Sequence, residues 1–254
     1  MPAPVVNRYN LLAKHYDLVF EEERTWFDAP RERILRPILP EIASACDLAC
    51  GTARTALILA RRGLRVFGVD GSAEMCRVAR ENVRRARLPV RILRGDMRSF
   101  RLPEPVDLIT CEFDALNHLA RTKDLLLVAR SAARALRPGG HFYFDVNTKL
   151  SLEKNWSSTW WIEKPGVVVV LHGGYDETRE TAWSDVDWFI RVGRNWRRVR
   201  ERVEEVAWCP VELVRTLRAA GFDDINAWDA SRLIKNNPVM RRGHRTFYLA
   251  RKRR

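Results

Sequence analysis

Apolar residues recur along the chain in two patterns, short continuous runs typical of buried strands and helically spaced runs typical of packed helices. Strand-like runs occupy residues 46–48, 66–70, 90–93 and 106–111, and a fifth lies within 137–145. Helical spacing marks residues 9–19, a segment of about 24–39 that Pro37 and Pro40 end, and 210–221, which ends on a glycine. The alternation of the two patterns predicts an α/β fold.

The segment from 149 to 208 has a different texture. β-rich runs cover residues 167–171, 181–192 and 196–206. Two turn-like segments separate them, Gly173-Gly174 with Asp176-Glu177 and then Gly193-Arg194-Asn195. Within the middle run, residues 183, 185 and 187 alternate with residues 184, 186 and 188. This strict alternation indicates one packed face and one solvent-exposed face. We expect an inserted antiparallel sheet here, and two final strands, 222–228 and 244–250, that complete the main sheet as an antiparallel pair.

Length and cysteine content limit the class of protein. With 254 residues the chain is long enough for one large α/β domain with an insertion. Its five cysteines show no paired C-x-x-C spacing, which is typical of a reduced, cytoplasmic protein. No run approaches the roughly 20 apolar residues of a membrane span, and the first residues do not resemble a signal peptide, so we expect a soluble protein with no membrane partner.

The chain is strongly basic, with 45 basic and 32 acidic residues and a net charge of +13. Such a balance suits nucleic-acid binding. The arginines are nevertheless spread over most predicted helices, and the clearest clusters are residues 194–202 and the tail 251–254. Solvated faces explain this distribution more often than a nucleic-acid groove does, so charge alone keeps nucleic acid as an alternative partner.

A glycine turn followed by an acidic strand end is the strongest chemical signal. Residues 46–55 read as a strand that runs into a turn at Gly51, and Asp70 ends the next apolar run about 20 residues later. Backbone N–H groups of such a turn reach a ligand, and the acid accepts hydrogen bonds from vicinal ribose hydroxyls. The pair predicts a ribose-binding site.

The turn also separates two ligand classes. A dinucleotide pyrophosphate needs bare backbone in a G-x-G-x-x-G pattern. Gly51 fills only the first of these positions, because Ala53 and Ala56 occupy the other two. A nucleoside without phosphates tolerates the alanines better, which argues against a nicotinamide dehydrogenase.

Together with Asp70, the stretch from Asp47 to Thr52 resembles the first motif of class I S-adenosylmethionine-dependent methyltransferases, with Ala53 where the family often has glycine. Further matches follow in the family's order at residues 69–75, 95–97, 106–119 and 137–145, so that the resemblance covers roughly residues 40–150. It implies a Rossmann-like doubly wound seven-stranded sheet with helices on both faces and an antiparallel last strand, plus the small inserted β-sheet. The implied domains are a cofactor-binding core with N-terminal lid helices (1–148), a sheet cap (149–208) and a C-terminal completion of the core (209–254).

The resemblance implies S-adenosyl-L-methionine as cofactor and S-adenosyl-L-homocysteine as product. Met75 would flank the adenine, and Asp96 would lie near its exocyclic amine. Tyr16 would either approach the methionine end of the cofactor or only pack the lid helix on the sheet. The implied cofactor-binding residues are Tyr16, Asp47, Ala49, Cys50, Gly51, Asp70, Gly71, Met75, Asp96, Met97, Cys111, Glu112 and Phe113.

Candidate acid–base residues follow the fourth predicted strand. Methyl transfer needs a base only where the nucleophile arrives protonated, and Asp114 and His118, besides Glu112, are the candidates. Asn117 would orient the substrate, and a helical segment would place positions 114, 117 and 118 on one face. A histidine bonded to backbone is the competing interpretation of His118. We expect no metal site, because no pair of His or Cys residues has ligand spacing.

The predicted insertion contains most of the nine tryptophans, and we expect substrate choice to depend on it. Aromatic faces suit a sulfonium, an amine or a flat ring, although packing of the sheet explains any single tryptophan more simply. We expect one or two to line the cleft.

Three functional classes remain open. The leading one is a methyltransferase acting on N or O of a small-molecule acceptor, most like sugar-amine N-methyltransferases and bacterial methyltransferases of uncertain substrate. The second is an RNA (rRNA or tRNA) methyltransferase, which net charge favours but which the absence of an Asn/Asp-Pro-Pro-Tyr type of motif at residues 112–115 disfavours. The third is a cofactor-binding protein without catalysis. A homodimer is also left open.

Overall fold

A seven-stranded sheet organises the described part of the chain. The computed structural model describes residues 13–234, 237 and 240–254. The strands of this sheet are β1 Ser44–Leu48, β2 Arg65–Asp70, β3 Val90–Arg94, β4 Val106–Cys111, β5 Leu136–Asn147, β10 Phe222–Asp229 and β11 Arg245–Lys252. Their order is β10-β11-β5-β4-β1-β2-β3, with β1 to β5 parallel and β11 antiparallel to both its neighbours. The predicted fold class is confirmed.

Helices cover both faces of this sheet. They are α1 Tyr16–Thr25, α2 Asp28–Leu35, α3 Arg54–Ala60, α4 Ala73–Ala86, α5 Thr122–Ala135, α6 Lys149–Asn155 and α7 Pro210–Ala219, with 3-10 helices at Leu39–Glu41, Ala115–His118 and Ala230–Arg232. One core cluster joins α5 and α7 to the face that carries Ile109, and another joins α2, α3 and α4 to the face that carries Leu108. Because neighbouring residues of β4 point to opposite faces, both faces are packed, as a parallel sheet requires.

A second sheet lies between β5 and α7 in chain order. Its antiparallel strands are β6 Thr159–Lys164, β7 Val167–Asp176, β8 Thr181–Val192 and β9 Asn195–Val206, in that order across the sheet. Along β8, Val186 and Trp188 are buried whereas Asp185 and Asp187 are partly exposed. The predicted alternation of a packed and a wet face is therefore correct.

Helix α1 joins the two sheets. Its Val19 packs in one apolar cluster with Trp188, and the ring centroids of Phe20 and Trp188 are 6.2 Å apart. Its Asp17 accepts a hydrogen bond from the Thr52 hydroxyl, in the glycine turn after β1, and another from Asn82 of α4. The helix thus fixes the second sheet over the carboxyl edge of the first.

The predicted helix at about 24–39 is wrong as a single element. Helix α1 ends at Thr25 and α2 begins at Asp28. Pro30 lies in the first turn of α2, where a residue without an N–H is tolerated, whereas it would interrupt the hydrogen bonds of a continuous helix. The predicted first helix begins only at Tyr16, and residues 9–12 of that prediction lie outside the described residues.

The predicted turn segment is only partly correct, since Gly173 and Gly174 lie inside β7 whereas the turn itself covers residues 177–180 and begins at Glu177 of that segment. A Cβ added to Gly173 would come within 2.3 Å of the Trp183 carbonyl oxygen and 2.8 Å of the Trp156 carbonyl oxygen. This glycine therefore permits close approach of backbone segments, a common reason for glycine inside a strand.

The state of the cysteines and the length of the helices test two expectations from the sequence. Cys46, Cys50, Cys76 and Cys111 are buried, Cys209 is exposed, and all are free thiols. In the ranges that the structure describes, every helix is too short or too polar to cross a lipid bilayer.

Replacing Gly173 by alanine should destabilise the protein by about 1–3 kcal/mol, because the methyl group meets fixed backbone atoms. The free energy of unfolding is measured by urea denaturation. Gly174→Ala is the matched control, since its Cβ would meet only the movable Trp183 ring at 3.2 Å. Equal losses in the two variants would contradict this explanation.

Candidate active site

The turn between β1 and α3 has an unusual backbone. Ala49, Gly51 and Ala53 have φ angles of 56°, 53° and 71°. The left-handed region is costly for residues with a Cβ, roughly 1–2 kcal/mol each. Ala53 nevertheless keeps it, and the Cys50 N–H, 3.0 Å from the Val69 carbonyl oxygen, ties the turn to β2. The backbone bend needed for ligand binding is therefore present despite the alanines.

Asp70 joins this turn to the start of α4. One carboxylate oxygen accepts the Gly51 N–H at 2.9 Å, and the other accepts the Ser72 N–H at 2.8 Å. Burial raises the pKa of Asp70, and the two backbone hydrogen bonds partly offset this effect. The structure thus brings together Gly51 and Asp70, as the sequence predicts.

Asp47 lies behind the turn, inside the sheet. Its oxygens accept the Ala56 N–H at 3.0 Å and the Thr110 hydroxyl at 2.9 Å. Burial, and then the charge of Glu112, raise the pKa of Asp47 to about 7. The hydrogen bonds of this side chain fix the start of α3 against β4.

Glu112 is likewise turned inward. Its Oε2 lies 2.6 Å from Arg31 Nη1 and 2.8 Å from the Thr55 hydroxyl. Arg31 and Glu112 are both buried, at 4% and 9% exposure. Glu112 therefore attaches α2 and α3 to the end of β4.

The other predicted cofactor-binding residues lie along the same edge, because the carboxyl ends of parallel strands meet there. Met75 is buried in a cluster with Tyr16 and Ala13. Asp96 forms an ion pair with Arg98. Gly71 is exposed, Met97 packs against the core, and Cys50 and Cys111 are buried in it.

A cavity of about 160 Å³ lies between α1, the segment after β4 and the second sheet. Its aromatic walls are Tyr16, Phe20, Phe113, Trp156 and Trp188. Two tryptophans of the inserted segment thus border the cleft. Burial raises the pKa of Tyr16, so its hydroxyl stays protonated at neutral pH.

Three acid–base side chains meet at one wall of this cavity. One carboxylate oxygen of Asp114, one of Glu205 and one ring nitrogen of His118 all lie within 4.8 Å of one another. His118 Nε2 is 4.0 Å from Glu205 Oε1, and His118 Nδ1 is 3.2 Å from the Glu204 carbonyl oxygen. Because a carbonyl only accepts, Nδ1 carries a proton, and Nε2 is the nitrogen on the side of Glu205.

Asp114 and Glu205 have opposite pKa shifts. Burial, and then the charge of Asp114, raise the pKa of Glu205 well above its ordinary value. Burial also acts on Asp114, but Arg245 and the hydrogen bond from Glu205 hold the pKa of Asp114 below its usual range. Glu205 is therefore the member of the pair that protonates first as the pH falls.

Asn117 does not face this cluster with its amide. Its Nδ2 donates to the carbonyl oxygens of Asn147 and Val206, at 3.0 and 2.9 Å, and its Oδ1 accepts the Asn147 N–H at 2.9 Å. The segment is a 3-10 helix rather than an α-helix. Asn117 thus ties β5 to β9, and a role in orienting substrate stays a prediction.

Asp145 and Arg245 hold Asp114 toward the cavity. Phe113 and Asp114 both have left-handed backbone, with φ of 63° and 53°. Their N–H groups donate to the two oxygens of Asp145 at 2.7 and 3.1 Å. Arg245 contacts Asp145 and lies 2.8 Å from Asp114 Oδ1. This buried network keeps a strained turn in one conformation.

Sequence reasoning missed Glu205, Asp145 and Arg245 as site residues. Asp145 ends an apolar run of β5, which was an available signal. Glu205 belongs to a strand of mixed charges from 197 to 205 and looks like a solvated residue. Arg245 carries no local signal, because only the tertiary fold brings it to Asp114.

Arg245→Met should destabilise the fold by about 3–5 kcal/mol, because two buried carboxylates lose their cation. Urea denaturation measures the loss. The control is Arg198→Met, whose exposed ion pair with Asp187 should contribute little. A similar small change in both variants would contradict the structural role of Arg245.

Residues 45–140 match a family model described as a methyltransferase domain. YqeM of Bacillus subtilis (strain 168), which is assigned to the methyltransferases, is 27% identical over 72% of this chain and 75% of its own length. The dTDP-4-amino-2,3,4,6-tetradeoxy-D-glucose N,N-dimethyltransferase of Saccharopolyspora spinosa is 37% identical over 42% of each chain. An S-adenosylmethionine-dependent methyltransferase from Clostridium acetobutylicum ATCC 824 has the same fold, with a TM-score of 0.78, 23% identity, and coverage of 97% of this chain and 99% of that one.

The matched family model begins in β1 and ends within β5, and so covers the half of the sheet that presents the glycine turn and Asp70. The chain therefore contains a region similar to a methyltransferase domain, on a fold shared with S-adenosylmethionine-dependent methyltransferases.

Proposed function

We propose that this enzyme transfers a methyl group from S-adenosylmethionine to the nitrogen of a small-molecule amine. The observation that carries the proposal is a cavity where aromatic walls meet Asp114, His118 and Glu205. Aromatic faces and a carboxylate attract a cation, which favours an amine over a neutral hydroxyl as acceptor. The amino-sugar N,N-dimethyltransferase among the relatives supports a nitrogen acceptor.

The glycine turn is open on one side, to which we assign the adenosine. A Cβ added to Gly51 would meet no described atom within 4 Å, so this side of the turn faces open space. A carboxylate offers about four acceptor sites, and Asp70 uses one on each oxygen for backbone N–H groups. We assign the ribose hydroxyls to its remaining acceptor sites.

The other cofactor contacts follow from position along the carboxyl edge. We assign the adenine to Met75, Asp96 and Met97, and assign main-chain contacts to the segments 49–51 and 71. Tyr16 and Phe113 border the cavity and are assigned to the methionine end. Asp47 and Glu112 act from behind, by fixing the start of α3 and the end of β4.

Bound S-adenosylmethionine supplies a methyl group on a positively charged sulfur, open to in-line attack by a lone pair. The protein's contribution is to hold the acceptor near that methyl group and to exclude water. An ammonium must lose a proton before its nitrogen can attack. His118 Nε2 and the Asp114 carboxylate are the groups we assign to accept it.

An RNA acceptor is the competing hypothesis, and it depends on the net charge of +13. The arginines of β9 weaken it, because Arg198 and Arg200 both pair with Asp187, and Arg202 pairs with Asp185. Affinity for bulk tRNA that falls steeply between low and physiological salt would support RNA instead.

Asp70→Ala should weaken binding of S-adenosylhomocysteine at least about tenfold, because the ribose loses its acceptors and Gly51 loses its hydrogen bond. Calorimetry measures the affinity. Asp223→Ala, at an exposed position of β10, is the matched control and should bind normally. Unchanged affinity in Asp70→Ala would remove the ribose assignment and the cofactor site with it.

A further inference from the structure

Trp188 has a buried hydrogen-bond donor that lacks a partner in the described part of the chain, and the residue lies beside the cavity. Its side chain is fully buried and borders the cavity. Its indole N–H has no acceptor among the described residues. Since a buried donor without a partner is costly, an oxygen of a bound molecule is the natural acceptor. A hydroxyl group on the ligand would supply that oxygen.

Two carboxyl groups meet at one wall of the same cavity. Glu205 is 2% exposed, and Asn147 Nδ2 of β5 donates to it at 2.9 Å. The other groups facing it are Asp114 and His118 from the segment after β4. Arg245 of β11 pairs with Asp145 and Asp114, whereas Glu205 has no arginine or lysine partner among the described residues and is the member of the pair that protonates first.

We propose that the cavity recognises a small amino alcohol in its ammonium form, with the ammonium replacing the proton of the Glu205 carboxyl group beside Asp114 and with the ligand hydroxyl accepting the Trp188 N–H. The proposal rests on the proposed function only in identifying this cavity as the acceptor site.

The exchange balances in protons and charge. The O–H bond of the Glu205 carboxyl group breaks, and its proton leaves to solvent. The ammonium then donates hydrogen bonds to both carboxylates, so the net charge of the cavity is unchanged. A neutral alcohol cannot replace the proton in this way, and the site therefore discriminates between amines and alcohols of the same shape.

A divalent metal ion would also suit three donor atoms within 4.8 Å. It would, however, bring two positive charges close to the Arg245 guanidinium, which lies 2.8 Å from Asp114. An ammonium brings one positive charge and displaces one proton, so the net charge of the cluster does not change. Electrostatics therefore favour the ammonium.

Calorimetry with trans-2-aminocyclohexanol, cyclohexylamine and cyclohexanol tests the proposal, first at one pH in buffers of different ionisation enthalpy and then across a range of pH. Each amine should release about one proton on binding, and amine affinity should rise with pH while Glu205 is protonated. The two amines should bind at least about tenfold more tightly than cyclohexanol. Infrared spectroscopy should show a protonated carboxyl band that disappears when either amine binds.

Two variants separate the two contacts. Glu205→Gln keeps an amide donor for Asp114 but has no exchangeable proton, so proton release and the infrared band should vanish and amine affinity should fall about tenfold. Trp188→Phe keeps most of the packing but removes the N–H. It should abolish the advantage of the amino alcohol over cyclohexylamine, about fivefold for one hydrogen bond.

Amine binding without proton release, or cyclohexanol binding as tightly as the amines, would overturn the proposal. Displacement of the amines by Mn²⁺ at micromolar concentration would assign the cluster to a metal instead. The infrared measurement on the unmodified enzyme decides the matter even where a variant does not fold. Failure of S-adenosylhomocysteine to bind would overturn the proposed function, while amine binding with proton release would still support this inference.

Discussion

Carboxylates on the strands hold the turns from which this active site is built. Asp47 on β1 accepts the Ala56 N–H, Asp70 at the end of β2 accepts those of Gly51 and Ser72, and Asp145 on β5 accepts those of Phe113 and Asp114. In each case the acid lies on one element and fixes the backbone of another. Loops at a sheet edge are usually mobile, but these are pinned by charge-assisted hydrogen bonds.

Those fixed turns explain how a chain with alanines at two left-handed positions keeps a ligand-binding bend. The strain at Ala49 and Ala53 is local, whereas the hydrogen bonds that oppose it come from β2 and α1. Phe113 and Asp114 are held in the same way. Asp145 accepts both of their N–H groups, and Arg245 donates to the Asp114 side chain. Backbone strain is thus concentrated at the candidate active site.

The second sheet completes the site from the opposite side. Its Glu205 meets Asp114 of the segment after β4, and its Trp188 meets Phe20 of α1, so that an acidic cluster and an aromatic contact join the two sheets. The cavity is consequently apolar over most of its wall and acidic at one point. That combination is the one that the proposed cationic acceptor requires.

The parts of the fold that the sequence reveals are those where local pattern and final environment agree. Strands β1 to β5 are buried on both faces and have continuous apolar runs, and Gly51 and Asp70 have a fixed spacing. By contrast, β6 consists largely of exposed residues. Glycine is common in turns, but Gly173 lies inside a strand where backbone segments approach closely. Asp114 and His118 do lie together, but Glu205 joins them only through tertiary structure, and Asn117 binds backbone. Such long-range partners leave no local pattern.

A crystal structure with S-adenosylhomocysteine bound tests the central claim most directly. The account predicts ribose hydroxyls on the Asp70 carboxylate, adenine beside Met75, and the sulfur at the mouth of the cavity that Asp114 and Glu205 border. A cofactor bound elsewhere, or a sulfur that points away from this cavity, would contradict it.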